Sequence, residues 1–150
     1  MNEVVLDNIN TTVNMDDDLY ILGDLMLNND NAGIRLIKSL KGRLHVILGN
    51  HDSATRQALY RDCYNIVDVK YADMIKVGKK EFYLSHYPTC MGNFDEKHGP
   101  YCLCGHAHTQ DKFSDIDKRC YHIELDAHDN KPVSIEEIID DIKRRKEKCR

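Results

Sequence analysis

Four short polar segments hold the side chains that could do chemistry: Gly23-Asp24, Gly49-Asn50-His51-Asp52, Ser85-His86 and Gly105-His106-Ala107-His108. Together they offer carboxylate, amide oxygen and imidazole, a mixed oxygen and nitrogen set without thiolate. Such a set suits Mn, Fe or Zn more than Ca. Asp24 has two oxygens and could bridge two ions, and two ions about 3.5–4 Å apart form a clamp for in-line displacement at phosphorus. A leading glycine lets the backbone turn sharply out of a sheet. Singly, each segment has an ordinary reading as a strand end, an Asn/Asp turn or a surface histidine. Occurring together, each in the same kind of setting, they call for a common explanation.

That setting is the end of a buried strand. Residues 1–14 place Val5, Ile9 and Val13 at helical spacing, and Asp16-Asp17-Asp18 ends the helix. Leu19 to Leu22 is a short apolar run that delivers Asp24. Residues 30–40 predict an amphipathic helix, and Leu44 to Leu48 a second buried strand ending at Gly49. Ser53 to Asp62 predicts a helix. Tyr71–Val77 and Glu81–Leu84 flank a turn at Gly78-Lys79-Lys80, as in a hairpin. Residues 89–100 read as a loop, and Tyr101–Cys104 as a strand. Lys112–Ser114 and Arg119–Leu125 predict a further hairpin. Ser134 and Glu137 form a capping box that opens a last helix with the stripe Ile135, Ile138, Ile139, Ile142. Alternating strands and helices followed by strand-rich sequence imply an α/β layered fold. Sites in open α/β sheets form at the carboxyl ends of strands, so the four segments are expected to converge.

Gly23-Asp24, GNHD at 49–52, His86 and GHAH at 105–108, in this order, resemble the signature of the calcineurin-like metallophosphoesterases. The likeness is greatest to the small bacterial and phage members with no appended domain. It spans the first helix to the last. It implies one phosphoesterase domain over residues 1–150, folded as an α/β/β/α sandwich. By that resemblance Asp24 would bridge two divalent metals, Asn50, His86 and His106 would complete the second site, and His108 would bind at the first. His51 would be the general acid, Asp52 would orient it, and a hydroxide held by the metals would attack phosphorus. The substrate would be a phosphate-ester small molecule or a nucleotide, with nucleic acid entering only as a substrate.

The family's opening strand ends in Asp-x-His, which supplies two ligands of the first metal. No Asp-x-His precedes Asp24. The one in the chain, Asp126-Ala127-His128, matches the closing strand instead. The expectation is an N-terminally truncated domain in which the first site keeps only Asp24 and His108, so that one metal is lost. Two functions follow: a metal-dependent hydrolase of phosphate mono- or diesters, or a metal-binding or scaffold protein on the same fold without turnover.

The remaining features narrow these choices. The chain has 150 residues, 31% charged, with a formal net charge of −4, which speaks against a nucleic-acid-binding module. No run approaches the roughly 18–20 apolar residues of a membrane span, and the first residues lack the basic and apolar regions of a secretory signal. Six cysteines, at 63, 90, 102, 104, 120 and 149, form no CxxC pair. They read as reduced thiols of a cytoplasmic protein. Cys102 and Cys104 share one strand face and read as small buried residues rather than ligands. His45 reads as a packed, hydrogen-bonded strand residue, His98 as a solvated loop residue, and His122 as facing solvent. Tyr87 and Phe94 read as packing residues with the shape to stack on a substrate ring. Lys143–Lys148 reads as a solvated, basic helix end.

Overall fold

The structure is a computed structural model that describes residues 3–27, 31–89, 91 and 99–148. Cys90, Phe94, His98 and Cys149 lie outside the described residues. The chain is mixed α/β, and its described residues form two sheets and four α-helices. After helix α1 (Glu3–Thr12), strands β1 (Asp18–Leu22), β2 (Arg43–Ile47) and β3 (Ile66–Lys70) form a parallel sheet in the order β1-β2-β3. Parallel neighbours cannot be joined by a tight turn and need a crossover. Helices α2 (Asn31–Lys38) and α3 (Ala54–Arg61) supply those crossovers. Ser53 caps α3 through its side chain.

This sheet is buried on both faces, as parallel sheets are. Leu44, Val46 and Leu48 join Val5, Ile9, Ile37 and Tyr60 in one core, with the helices. Leu22 and Ile47 belong to a second core, with Phe82, Leu84, Leu103 and Tyr121. Strand β3 was not expected from the sequence. Its Asp68 pairs with His45 and its Lys70 with Asp73, so polar residues dilute its apolar pattern. His45 is hydrogen-bonded as expected, to Asp18 and Asp68 at 3.1 Å each, and is stacked on Tyr20.

The second sheet has the order β4 (Ala72–Val77), β5 (Lys80–Ser85), β6 (Tyr101–Cys104), β7 (Cys120–His122). The expected hairpin is β4-β5, antiparallel; β5-β6 and β6-β7 are parallel. The second expected hairpin, across residues 112–125, is reduced to a single antiparallel bridge, Phe113↔Tyr121. The reason is local. Ser114 Oγ accepts from the amides of Ile116 and Asp117, and Asp117 accepts from those of Arg119 and Met91, so the segment curls into turns. β7 then pairs with β6 and runs into a 3₁₀ turn at Leu125–His128.

Helix α4 (Ile135–Lys148) opens with the expected reciprocal cap: Ser134 N–H to Glu137 Oε2 at 2.9 Å and Glu137 N–H to Ser134 Oγ at 3.2 Å. A cap of this kind stabilises by about 1 kcal/mol. Ile138 and Ile142 bury against the Phe82–Tyr121 face of the second sheet. At the basic end Arg145 lies over Phe113 and Lys146 over Tyr101. Among the described residues no helix is long and apolar enough to cross a membrane.

Candidate functional site

β1 ends at Leu22, and Gly23 makes the exit at φ +96°. No other residue fits there, because a Cβ would fall 2.0 Å from His86 Nδ1. Beyond the end of β2, a Cβ at Gly49 would fall 2.4 Å from Asp24 Oδ1. The two exits are therefore packed against the site's own side chains. They are also tied to each other by Asp52, which is only 4% exposed. Asp52 Oδ2 accepts from the backbone N–H groups of Asp24 (2.9 Å) and Gly49 (2.8 Å), and Oδ1 accepts from Tyr60 Oη–H (2.5 Å).

Tyr60 was not legible in the sequence as a site residue. It stands two helical turns beyond Asp52, fully buried, and burial together with its bond to Asp52 pushes its phenol far above the usual range. It thus remains a donor at any ordinary pH. The expectation that Asp52 orients the His51 ring is corrected here. Among the described residues no hydrogen bond joins them, because both Asp52 oxygens are taken by the loops and Tyr60. His51 contributes through its backbone instead, its N–H donating to Asp24 Oδ1 at 2.9 Å. Its ring is exposed.

His86 is the hub. It is 3% exposed, and its Nδ1 lies 2.8 Å from the carbonyl oxygen of Leu22. A carbonyl only accepts, so Nδ1 carries a proton, and in the neutral form of the ring Nε2 presents a lone pair. Around that lone pair stand Asn50 Oδ1 at 2.9 Å, His106 Nδ1 at 3.1 Å and Asp24 Oδ2 at 3.6 Å. A ring lone pair, an amide oxygen and a carboxylate oxygen are all acceptors, and a shared divalent cation satisfies them together. The donor set fits such an ion on chemistry, with His86 Nε2 as the atom the others face. Four of the expected ligands, Asp24, Asn50, His86 and His106, are thus brought to one place.

His108 is not. Its side chain is 82% exposed and faces Asp126, Nδ1 to Oδ2 at 3.3 Å. Asp126 is the first residue of the Asp-x-His segment. His128, the last, turns inward: its Nε2 lies 3.0 Å from the His122 carbonyl oxygen, and burial lowers its pKa. Tyr87 is half-exposed and sets its ring edge-on to both His86 and His106, at centroid distances of 4.9 and 4.7 Å. It lies at the rim of the cluster.

Fold and site together define a two-sheet α/β chain with an oxygen and nitrogen cluster at the carboxyl ends of its strands. No family model and no curated protein matches the sequence. Among solved structures the chain is similar to the protein of unknown function AQ665 from Aquifex aeolicus, with a TM-score of 0.69 and 23% identity, covering 91% of this chain and 82% of that one. At that identity the likeness is one of fold. Two weaker likenesses are to a novel archaeal phosphodiesterase (TM-score 0.48, 12% identity, 75% of this chain and 70% of that one) and to Vps29 from Entamoeba histolytica (TM-score 0.47, 17% identity, 81% and 63%).

Proposed function

We propose that the cluster around His86 is a divalent-cation centre, with Mn, Fe or Zn as its ion, and that the chain is a metallophosphoesterase that hydrolyses phosphate mono- or diesters there. The observation that carries this reading is the Leu22 carbonyl, which holds the proton on His86 Nδ1 and turns Nε2 toward Asn50 Oδ1 and Asp24 Oδ2. Acceptors that face one another repel unless a cation or a donor joins them. A bound divalent ion would supply Lewis acidity at a phosphoryl oxygen.

The chain's own residues do the rest. Asp24 is held in register by the His51 amide and, through its backbone, by Asp52. The His51 ring is exposed next to Asp24 and is the group that would protonate a leaving alkoxide. A positioned acid of this kind contributes roughly 10²–10⁴-fold. Tyr87 offers a half-exposed ring at the rim to an aromatic substrate group. The cytoplasm and a phosphorylated small molecule or nucleotide remain the setting and partner of this reading.

The test is hydrolysis of bis-p-nitrophenyl phosphate with added Mn²⁺. His51→Ala is expected to lower the rate by about 10²-fold or more, and Asp24→Asn to abolish it. Equal rates in wild type and both variants would remove catalysis from this site. A second reading, a metal-binding scaffold without turnover, draws support from His108, which faces Asp126 rather than the cluster. Mn²⁺ binding with no hydrolysis of mono- or diesters would favour it.

A further inference from the structure

The second sheet carries another cluster that the strand-end site does not use. β6 contains Cys102-Leu103-Cys104 and β7 is Cys120-Tyr121-His122, so a Cys-x-Cys and a Cys-x-His lie side by side. The parallel register sets Cys102 opposite Cys120 and Cys104 opposite His122. Strands about 4.8 Å apart, with a rise of about 3.3 Å per residue, place these four on one face as a compact rectangle. All four are buried, at 0%, 0%, 1% and 5% exposure.

Their side chains converge. The three sulfurs all lie within 4.8 Å of one another. Cys104 Sγ is 2.9 Å from Cys120 Sγ and 4.0 Å from His122 Nδ1. The three are free cysteines, and Met91 closes over them with Tyr83 packed alongside. Thiols are weak donors and weak acceptors, so they serve one another poorly as hydrogen-bond partners. A tetrahedral Cys₃His zinc site has Zn–S near 2.3 Å and Zn–N near 2.0–2.1 Å, which sets S···S at about 3.8 Å and S···N at about 3.6 Å. The three sulfurs need shifts of about 1 Å to reach that geometry, and His122, with Nδ1 4.0 Å from Cys104 Sγ, swings further toward Cys102 and Cys120 to complete it.

We propose that Cys102, Cys104, Cys120 and His122 form a structural zinc site that ties β7 to β6. Binding exchanges three S–H bonds for three Zn–S bonds, with His122 Nδ1 giving the fourth lone pair. Three protons go to solvent, no electron is transferred, and the closed centre carries one net negative charge. Glu124 Oε1, 3.6 Å from His122 Nδ1, keeps the Thr109 N–H it already accepts at 3.0 Å. β7 is three residues long, so a clamp there secures a strand with little pairing of its own.

The experiment uses the whole chain with Zn²⁺ alone or Co²⁺ alone. After dialysis against a mild chelator, elemental analysis is expected to find one zinc per chain, retained in Asp24→Asn and lost in Cys104→Ser. The cobalt form of the wild type is expected to show sulfur-to-metal charge transfer in the near ultraviolet and tetrahedral bands in the visible. That spectrum decides the matter even where the serine variant does not fold. The absence of both band systems in folded wild type would overturn the site, as would a disulfide between Cys104 and Cys120, or zinc held equally by Cys104→Ser.

Discussion

One strand, β6, serves two clusters of different character. Past its carboxyl end, at Gly105, the chain leaves the sheet and presents His106, exposed and in the left-handed region at φ 69°, to the lone pair of His86. Within it, Cys102 and Cys104 stand on a sealed sheet face with Cys120 and His122. The first cluster is a fan of oxygen and nitrogen ligands around one nitrogen, open to solvent through Asn50 and His106. The second is a set of soft ligands with no route to water. The same backbone therefore yields a place to meet substrate where the strand stops, and a place to hold structure where it continues.

The contrast breaks most readily at Asp52. It is a buried carboxylate that joins the two loop exits of the open cluster. Asp52→Ala leaves the Tyr60 hydroxyl and two backbone amides without their acceptor, and thermal or urea unfolding is expected to show a loss of about 3 kcal/mol. A loss under 1 kcal/mol would mean that the loops hold themselves.

A carboxylate outside both clusters gives the next largest effect. Asp141 on α4 is opposed by burial, but hydrogen bonds from Lys112, Tyr121 and Arg144 outweigh it and draw its pKa down to about 2. Its folded pKa is thus below its unfolded value near 3.8. Its contribution is complete above the unfolded value and is lost as pH falls through the folded one. About 2 kcal/mol is expected to disappear between roughly pH 4 and pH 2. Urea titrations should show that decline in wild type and a shallower one in Asp141→Asn. Identical slopes would remove Asp141 from the account of α4.

Gly49→Ala gives the smallest effect and touches the open cluster alone. Its Cβ would press Asp24 Oδ1 at 2.4 Å. Mn²⁺ affinity measured by calorimetry is expected to fall about tenfold, equivalent to about 1.4 kcal/mol. An unchanged affinity would mean that Asp24 is not a ligand.

Much of the open cluster was legible because its signals are local. A glycine and a polar residue at the end of an apolar run mark a strand end, and the convergence of strand ends is a property of α/β sheets. That reasoning brought Asp24, Asn50, His86 and His106 together. The sealed cluster was not legible in the same way. Cys102 and Cys104 looked like small core residues, and their partners arrive from β7 through a segment that reads as a hairpin arm. With β7 pairing in parallel to β6, His122 is buried at 5% exposure, a correction to the expectation that it faces solvent. The signal that was present, a Cys-x-Cys and a Cys-x-His each with strand periodicity, means something only once the two strands are neighbours. Tyr60 was missed for a related reason: its hydroxyl matters only because α3 folds back over Asp52. His108 shows the reverse, a motif residue whose exposed ring faces Asp126.

The central claim is that the lone pair of His86, aimed by the Leu22 carbonyl, organises a cation site. Electron paramagnetic resonance of Mn²⁺ titrated into wild type and into His86→Ala, each folded by circular dichroism, tests it most directly. The account predicts loss of the free-ion signal at one Mn²⁺ per chain in wild type, and a full free-ion signal at the same concentration in His86→Ala. Equal binding by the two proteins would contradict it.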